Sequence, residues 1–295
     1  MSRRSGGLRM LPPFGLPEYH TGNYTGTIEA LNAVATYIRD IPQKYLVLLL
    51  GNMCANIDLL PPMRQHRRSG AEITAICADH NPPDSHHRYV VGEDGLVKQI
   101  LFDRTGEGEG LPSLEGYIIN KDTLLKMMDE CKARNQYSFH KNAVAAFLAE
   151  GGKMDTYVHP GYAVAIRSVE AYYQASMDML KTEYRRQMFP ADRPVRTKAH
   201  EEVSTYYGEA AVSRNSLVAD NCKIEGSIEN CIIFSGARIE KGARLRNCIV
   251  MRGGIVGANA DLDYVIADKY CSFSAGTVLT GNSRLPIVVP KGVSI

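Results

Sequence analysis

The first residues that could do chemistry are Gly51 and Asn52, which follow an unbroken apolar run from Tyr45 to Leu50. A run of this length and aliphatic composition predicts a strand buried on both faces, as in a parallel sheet. The working residues of an open α/β sheet lie just beyond the carboxyl ends of its strands. A site for a divalent cation and phosphates should place a carboxylate there, because hard cations prefer anionic oxygen. Asn52 offers only a neutral amide oxygen. The pattern therefore predicts the fold of such a site at this residue but not its cation-binding chemistry.

Two other stretches contain the residue types of binding sites but lack a matching pattern. The loop from Asp79 to Arg88 has three histidines and two aspartates around a pair of prolines. We interpret it as a solvated turn, since no rigid element fixes a ligand geometry. The glycine-rich stretch from Gly106 to Gly110 contains two glutamates, and no Lys-Ser or Lys-Thr pair closes it as a phosphate loop requires. Neither stretch predicts a metal site.

Composition excludes several classes of function. The 34 basic and 32 acidic residues leave a net charge of +2, so no strong field favours nucleic acid or an anionic membrane. The apolar runs are too short to cross a membrane, and the first residues lack the apolar segment of a signal peptide. Seven cysteines without Cys-x-x-Cys spacing fit a reducing compartment and act mainly as small core side chains. The sequence therefore predicts a cytoplasmic protein.

Helical and strand patterns alternate through the first two thirds of the chain. A helix capped by Thr27 precedes the apolar strand, and a second helix runs from Asp58 to Gly70 before a strand at 72–78. Further strands and helices follow, ending in one long amphipathic helix over 169–184 whose tyrosines and methionines fit a core. This alternation predicts an α/β domain over residues 1–189. Two prolines and an aperiodic composition predict a linker at 190–208.

The remaining residues, 209–295, repeat themselves. Related units begin at Asn215, Asn230, Asn247 and Asp263, at spacings of 15, 17 and 16 residues. Aliphatic residues fall six apart within these units: Val212, Val218, Ile224, then Ile233, Ile239, Leu245, then Ile249, Ile255. This period predicts a left-handed parallel β-helix of hexapeptide repeats, with Cys231 and Cys248 equivalent in successive coils. The ends and flanks of such a domain commonly carry oligomer contacts.

The order of domains and several motifs resemble the glucose-1-phosphate adenylyltransferase (ADP-glucose pyrophosphorylase) family, and its GlgD-type subunits in particular. The stretch from Tyr24 to Leu31 is similar to the family's Tyr-Arg-Gly-Thr-Ala-Asp-Ala, and Leu50-Gly-Asn52 is similar to Ala-Gly-Asp. Ser113 to Ile119 resembles Ser-Met-Gly-Ile-Tyr-Val-Phe. Leu11-Pro-Pro and Ile266-Ala-Asp-Lys269 resemble the GlgD type. The resemblance implies an α/β nucleotidyltransferase-like (Rossmann-like) domain, incomplete at its N-terminus, followed by the β-helix.

The resemblance also implies roles for individual residues. Ligand-binding positions would be Tyr24, Gly26, Thr27, Ser113 and Tyr117. Lys269 resembles a lysine that contacts effectors in some family members, although a solvated lysine on a β-helix turn is the favoured interpretation.

Departures from the family affect its catalytic positions. The family joins glucose-1-phosphate to the α-phosphate of ATP, with Mg²⁺ held by two aspartates. The matching positions here are Asn52 and Ala165, and the arginine of the tyrosine motif is Thr25. Glu115 replaces a glycine and would bring negative charge near an anionic substrate. The family's opening strand, glycine-rich nucleotide loop and Glu-Lys-Pro segment have no counterpart, so the chain is expected to begin part-way into the domain, with no catalytic residues and no cofactor of its own.

These observations favour a non-catalytic or regulatory GlgD-like subunit of glycogen biosynthesis. Its expected partner is a catalytic ADP-glucose pyrophosphorylase homologue in a hetero-oligomer, and a homo-oligomer remains open. The alternative is an active sugar-phosphate nucleotidyltransferase with rearranged ligands. A gene fragment or misplaced start codon is a further alternative. A hexapeptide acyltransferase is disfavoured, because such enzymes use a histidine on the β-helix and all eight histidines lie at or before His200.

Overall fold

The computed structural model describes residues 10–11, 24–80, 87–102, 108–197 and 201–295. The chain forms two compact units, one of Met1–Met53 with Ile57–Pro160 and one of Cys54–Asn56 with Gly161–Ile295. We call them the α/β unit and the β-helix unit. The domain limits expected from the sequence, 1–189, 190–208 and 209–295, stay a prediction. Among the described residues, no helix has the length and apolar character needed to span a membrane.

Seven α-helices and eight strands precede the β-helix in the described part of the chain. The helices are α1 Thr27–Ala33, α2 Ala35–Asp40, α3 Leu60–Ser69, α4 Lys121–Ala133, α5 Ala145–Ala149, α6 Val169–Asp178 and α7 Thr182–Met188, with a π-helical turn at Phe139–Val144. The strands are β1 Tyr45–Leu49, β2 Met53–Ala55, β3 Ile73–Ala78, β4 Arg88–Val91, β5 Val97–Leu101, β6 Leu111–Asn120, β7 Met154–His159 and β8 Ala163–Ala165.

The α/β unit is built on one mixed sheet in the order β5-β4-β6-β3-β7, with β1 paired to β6. β3 and β7 run parallel, whereas β6 is antiparallel to β1, β3 and β4. The expectation that the run from Tyr45 lies in a parallel sheet, buried on both faces, is wrong. Tyr45 is 37% exposed and Leu49 is 47% exposed, and β6 is the only described partner of β1. A run of apolar residues indicates that a strand is buried overall. It does not indicate whether the neighbouring strand runs parallel or antiparallel.

Local signals placed the ends of α3 correctly. The Asp58 carboxylate accepts the N–H of Leu60 at 2.9 Å, and Gly70 ends α3 in the left-handed region at φ 65°. The expected helix from Thr27 to Ile38 is instead broken at Val34, and Gly26 rather than Thr27 precedes its first turn. Likewise, the single helix expected over 169–184 is divided into α6 and α7. Hydrophobic periodicity continues across such breaks and so does not reveal them.

The β-helix unit contains α6, α7, β8 and the last two residues of β2, followed by stacked parallel coils. Fifteen short strands form three parallel sheets of five: β9 Tyr206–Tyr207, β10 Val212–Arg214, β11 Leu217–Val218, β12 Lys223–Ile224, β13 Ser227–Glu229, β14 Ile232–Ile233, β15 Arg238–Ile239, β16 Arg244–Arg246, β17 Ile249–Val250, β18 Ile255–Val256, β19 Asp261–Asp263, β20 Val265–Ala267, β21 Ser272–Phe273, β22 Val278–Thr280 and β23 Ile287–Val289. The predicted hexapeptide β-helix is therefore confirmed as a parallel β-solenoid.

Equivalent residues of successive coils stack in register. Ile224 aligns with Ile239, which aligns with Val256, and all three are fully buried. Cys231 and Cys248 lie at adjacent levels with no exposed surface, as their spacing predicted. Each coil thus buries its apolar side chains against the next coil, which is how repeat proteins gain stability.

Some of the aliphatic residues in the six-residue pattern do not point into the β-helix, contrary to the prediction. Val212 is 41% exposed and Ile255 is 38% exposed, so neither side chain faces inward as predicted. Ile249 is fully buried, but its contacts are with Tyr173 of α6, whereas the adjacent Val250 joins the core of the coils. Successive side chains of a strand point to opposite faces. Where two aliphatic residues are adjacent, the sequence therefore does not tell which one is inside.

Candidate functional site

A cavity of about 230 Å³ lies within the α/β unit. Helix α1 lines it with Thr27 and Leu31, β1 and the residue after it with residues 47–50, β6 with Glu115 and Tyr117, and the π-helical turn with Phe139 and His140. Thr27 and Tyr117 are two of the residues for which the sequence implied a ligand-binding role. The cavity therefore brings part of the expected site together.

Glu115 reaches the cavity because β6 is irregular at this point. Ile76 of β3 is opposite Gly116, but the next residue, Cys77, is opposite Ser113, so the two intervening residues bulge out of the ladder. Glu115 adopts φ 55°, the left-handed region that glycine enters most readily. Its N–H donates to the Ser113 hydroxyl at 2.9 Å. Ser113, expected to contact a ligand, is itself buried and holds the bulge.

A buried polar network lies behind the cavity wall. The hydroxyls of Tyr89 and Tyr117 are 2.7 Å apart, and Nε2 of His87 lies 3.2 Å from each of them. Burial raises the pKa of both phenols, which therefore keep their protons. Burial, followed by the neighbouring His140, lowers the pKa of His87 to about 2. The prediction that His87 lies in a solvated loop is wrong, since its side chain is 2% exposed.

His140 completes this group of side chains. It lies on the π-helical turn, and its ring centroid is 4.2 Å from that of His87. Burial lowers its pKa to about 4, so the ring is neutral near pH 7. Its Nε2 atom is enclosed and has no hydrogen-bond partner among the residues that the structure describes. The cavity wall thus contains a buried nitrogen that is available to a ligand.

The described lining of the cavity contains one carboxylate and no lysine or arginine. Glu115, 6% exposed, is the charged residue among the described lining residues, and no lysine or arginine of the described chain lines the cavity. Most of the remaining wall is formed by the aliphatic side chains of α1 and β1. The negative charge inferred from the glycine-to-glutamate difference is therefore located at the wall of the cavity that Thr27 and Tyr117 line.

Gly26 is required by packing. A Cβ atom at this position would lie 2.3 Å from the carbonyl oxygen of Tyr137, and the N–H of Ile28 donates to that same oxygen at 3.1 Å. The neighbouring Thr25 is exposed, with its N–H donating to Glu29, and Tyr24 is half-buried. None of residues 24–26 lines the cavity. Their ligand-binding roles stay a prediction.

The expected metal positions lack a carboxylate. Asn52 lies half-buried in the turn after β1 and supplies only an amide oxygen. Ala165, in β8 of the β-helix unit, is 6% exposed and has no ligand atom in its side chain. These two residues do not fit the Mg²⁺ that the family uses, since that ion is bound through carboxylates. No step of a metal-assisted reaction is assigned to them.

Lys269 is exposed on a turn between β20 and β21. Its backbone N–H donates to the carboxylate of the preceding Asp268 at 2.7 Å, and its carbonyl accepts the N–H of Gly292. These bonds fix the turn and leave the side chain in solvent. An effector role for Lys269 stays a prediction.

The sequence did not predict that His87, Glu115 and His140 meet. They are separated by 28 and 25 residues (115 − 87 and 140 − 115) and share no short motif. The one available signal was a glutamate at a position where the family has glycine. It marked an unusual backbone conformation but not the residues beside it.

The structure thus combines a mixed α/β unit with a parallel β-helix of hexapeptide repeats. Residues 199–284 match a family model described as GlmU-like, C-terminal hexapeptide. The glycogen biosynthesis protein GlgD of Bacillus subtilis (strain 168) is 28% identical over 293 residues, which cover 99% of this chain and 75% of that protein. The glucose-1-phosphate adenylyltransferases of Bacillus thuringiensis subsp. konkukian and Bacillus anthracis are 26% identical over 295 residues, which cover 98% of this chain and 78% of each enzyme. The chain is thus similar over almost its whole length to GlgD and to glucose-1-phosphate adenylyltransferases, as its motifs predicted.

Proposed function

We propose that this chain is a GlgD-like, non-catalytic subunit of glycogen biosynthesis, which acts in the cytoplasm by associating with a catalytic glucose-1-phosphate adenylyltransferase. The observation that carries the proposal is the lack of a carboxylate at Asn52 and Ala165, the two positions that resemble the family's Mg²⁺ ligands. The similarity to the glycogen biosynthesis protein GlgD over 99% of the chain supports a role in glycogen biosynthesis.

The residues at these two positions oppose catalysis. Mg²⁺ is bound through carboxylates and substrate phosphates, and Asn52 and Ala165 provide no carboxylate for it. The described walls of the cavity that Thr27 and Tyr117 line also contain no lysine or arginine to bind a phosphate. A regulatory subunit needs the scaffold and its surfaces but not these charges.

The test is ADP-glucose formation from ATP and glucose-1-phosphate with Mg²⁺. The purified chain, the catalytic homologue from the same source and their mixture are assayed in parallel, and size-exclusion chromatography reports their association. We expect no product from the chain alone, a joint peak for the mixture, and a changed rate or effector response in the mixture. Activity of the chain alone would overturn the proposal and support the alternative of an enzyme with rearranged ligands. A mixture that behaves as the sum of its parts would also overturn it.

Lys269 allows a sharper version of the mixing experiment. If the lysine contacts an effector, Lys269→Ala should weaken the effector response of the mixture while leaving the joint peak unchanged. Lys291→Ala is the matched control, because it removes another exposed lysine from a β-helix turn. Equal responses in the two variants would leave Lys269 as a solvated residue and would not affect the regulatory proposal.

A further inference from the structure

Three side chains with good metal-binding atoms converge inside the α/β unit. His87, Glu115 and His140 each place one ligand atom within 4.8 Å of the other two. We call these residues the His–Glu–His cluster. We propose that the cluster binds a divalent transition-metal ion, with Zn²⁺ as the preferred ion, at the wall of the cavity. The site differs from the family's Mg²⁺ positions in both its residues and its ligand chemistry, and it does not depend on the regulatory function proposed above.

The hydrogen bonds of His87 resemble those that orient metal-binding histidines. Its Nε2 atom contacts the hydroxyls of Tyr89 and Tyr117, and its Nδ1 atom lies 3.7 Å from a carboxylate oxygen of Glu115. A ligating imidazole typically uses one nitrogen for the metal while the other donates a hydrogen bond that fixes the ring. With Nε2–H donating to a tyrosine oxygen, Nδ1 is the ring nitrogen that would share a cation with the Glu115 carboxylate. Such an ion would add to the contacts that both side chains already make.

Glu115 occupies a backbone conformation that is unfavourable for its residue type. Its φ of 55° and the bulge in β6 turn its side chain toward the two histidines, in a position where it is 6% exposed. Glycine would enter this conformation without strain. Backbone strain of this kind clusters at ligand sites, where a side chain is needed in one particular place. Coordination of a metal ion is one of the ways in which a buried carboxylate is stabilised.

His140 supplies the third ligand from a different element. It lies on a π-helical turn, an irregularity found frequently at functional sites. Its enclosed Nε2 atom has no hydrogen-bond partner among the described residues. A buried ring nitrogen without a partner loses its hydration and gains nothing in return. A metal ion would satisfy it.

The ligand set selects the class of ion. Two imidazole nitrogens and one carboxylate oxygen suit Zn²⁺ and related transition metals, whereas Mg²⁺ and Ca²⁺ prefer oxygen alone. Zn–N and Zn–O bonds of about 2.0–2.2 Å place the ligand atoms roughly 3–4 Å apart. The 4.8 Å limit of the cluster then requires a contraction of roughly 1 Å. Glu115 and His140 also line the cavity, so a fourth position would be open to water or a small ligand.

The experiment is a metal titration of the full chain. The protein is stripped with a chelator, dialysed and titrated with ZnCl₂ by isothermal titration calorimetry. CoCl₂ then serves as a spectroscopic probe, because its visible bands report the coordination number. We expect one ion per chain, a Co²⁺ spectrum of four- or five-coordinate type, and a higher melting temperature with Zn²⁺, since a ligand that binds only the folded state stabilises it.

Variants of the cluster locate the bound ion. We expect Glu115→Gln and His140→Gln to weaken Zn²⁺ binding by at least about tenfold, since even outer partners of metal ligands change affinity by roughly 10- to 100-fold. Tyr117→Phe removes one hydroxyl that holds His87 and should give a smaller loss with an altered Co²⁺ spectrum. His80→Gln is the control, because it removes an exposed histidine outside the cluster.

Two results of the titration would overturn the proposal. Absence of one-to-one binding, or binding of equal strength in Glu115→Gln, His140→Gln and His80→Gln, would place any bound zinc elsewhere, for example on cysteines. Circular dichroism in chelator checks that each variant folds. If another variant fails to fold, Glu115→Gly takes its place in the titration. It removes the carboxylate ligand, and it should fold because glycine adopts the left-handed conformation of this position without strain.

Discussion

The coils of the β-helix and the six-stranded sheet bury their side chains under different rules. In the coils, the contact between Ile224 and Ile239 recurs between Ile239 and Val256, one level further on. In the sheet, Ser113, Glu115 and the two buried tyrosines make contacts that occur once among the described residues. Because the contacts of the coils repeat, they can be predicted from the sequence. The contacts in the sheet that form the candidate site occur only once among the described residues, so no sequence period predicts them.

Left-handed backbone residues show the same contrast. Asn215, Asn230 and Asn247 have φ values of 41°, 51° and 52°, and their side chains form a ladder that ends on Asp263. Asparagine tolerates this conformation, so the repeat carries it at little cost. Glu115 adopts the same region once, with a buried carboxylate. Most left-handed residues of the described coils are asparagine or glycine, with Tyr264 and Tyr270 as exceptions, whereas the sheet places a buried glutamate in this region.

The largest expected effect comes from breaking one level of the β-helix. Ile239→Ala should lower the free energy of unfolding by roughly 2–4 kcal/mol, because it leaves a cavity in a fully buried position. Arg238→Ala, the adjacent exposed residue, should change it by less than about 0.5 kcal/mol. Urea denaturation monitored by circular dichroism measures both values. Equal effects would mean that the assignment of inward and outward faces is wrong.

The next effect tests whether Gly26 is structural. Gly26→Ala places a methyl group against the carbonyl of Tyr137 and should destabilise the chain by about 1–3 kcal/mol. Gly51→Ala is the matched control, since a Cβ there has no neighbour within 4 Å among the described residues. The same denaturation curves apply. A Gly26→Ala chain as stable as the control would remove the packing reason for this glycine and return it to the list of ligand-binding candidates.

A smaller effect, of opposite sign, tests the strain at Glu115. In the presence of a chelator, Glu115→Gly should raise the free energy of unfolding by about 1 kcal/mol, because it relieves a left-handed conformation. Asn135→Gly, at φ 53° after α4, should change it by less than about 0.5 kcal/mol, since asparagine tolerates that region. Thermal unfolding in metal-free buffer compares the two. A destabilised Glu115→Gly chain would show that the carboxylate stabilises the fold without a metal.

The smallest effect concerns pH. His66 is buried between Thr74 and Asn120, and burial lowers its pKa below the ordinary value of about 6.5. The unfolded chain therefore binds more protons than the folded chain, so the contribution of His66 is complete above about pH 6.5 and is lost as the pH falls through the folded pKa. His87 and His140 act in the same direction. The free energy of unfolding should decrease from about pH 7 to about pH 5, and less so in His66→Gln.

Hydrogen exchange localises this pH effect. Strands β9–β23 contain no histidine, so their protection, corrected for intrinsic exchange, should change little between the two pH values. Peptides from β3, β4 and β6 should lose protection. Equal losses in both regions would show that another group controls the acid sensitivity.

Individual elements show how far the sequence alone reaches. Asp58 and Gly70 marked the ends of α3, and the asparagines at 215, 230 and 247 marked equivalent levels of the β-helix. These features depend on residues near one another in the chain or on a fixed period. The sequence did not predict the antiparallel pairing of β1 or the outward position of Ile249. Both depend on which distant element covers a strand.

By itself the sequence determined the class of the protein, its repeat and the loss of the expected carboxylates at Asn52 and Ala165. Residue identity decides whether a ligand atom exists, and periodicity decides whether coils can stack. Only the tertiary structure placed His87 and His140 beside Glu115, since the antiparallel β6, its bulge and a π-helical turn bring them together from distant parts of the chain. Pairing between distant strands and local irregularities produce no periodic pattern in the sequence. The proposed metal site depends on both.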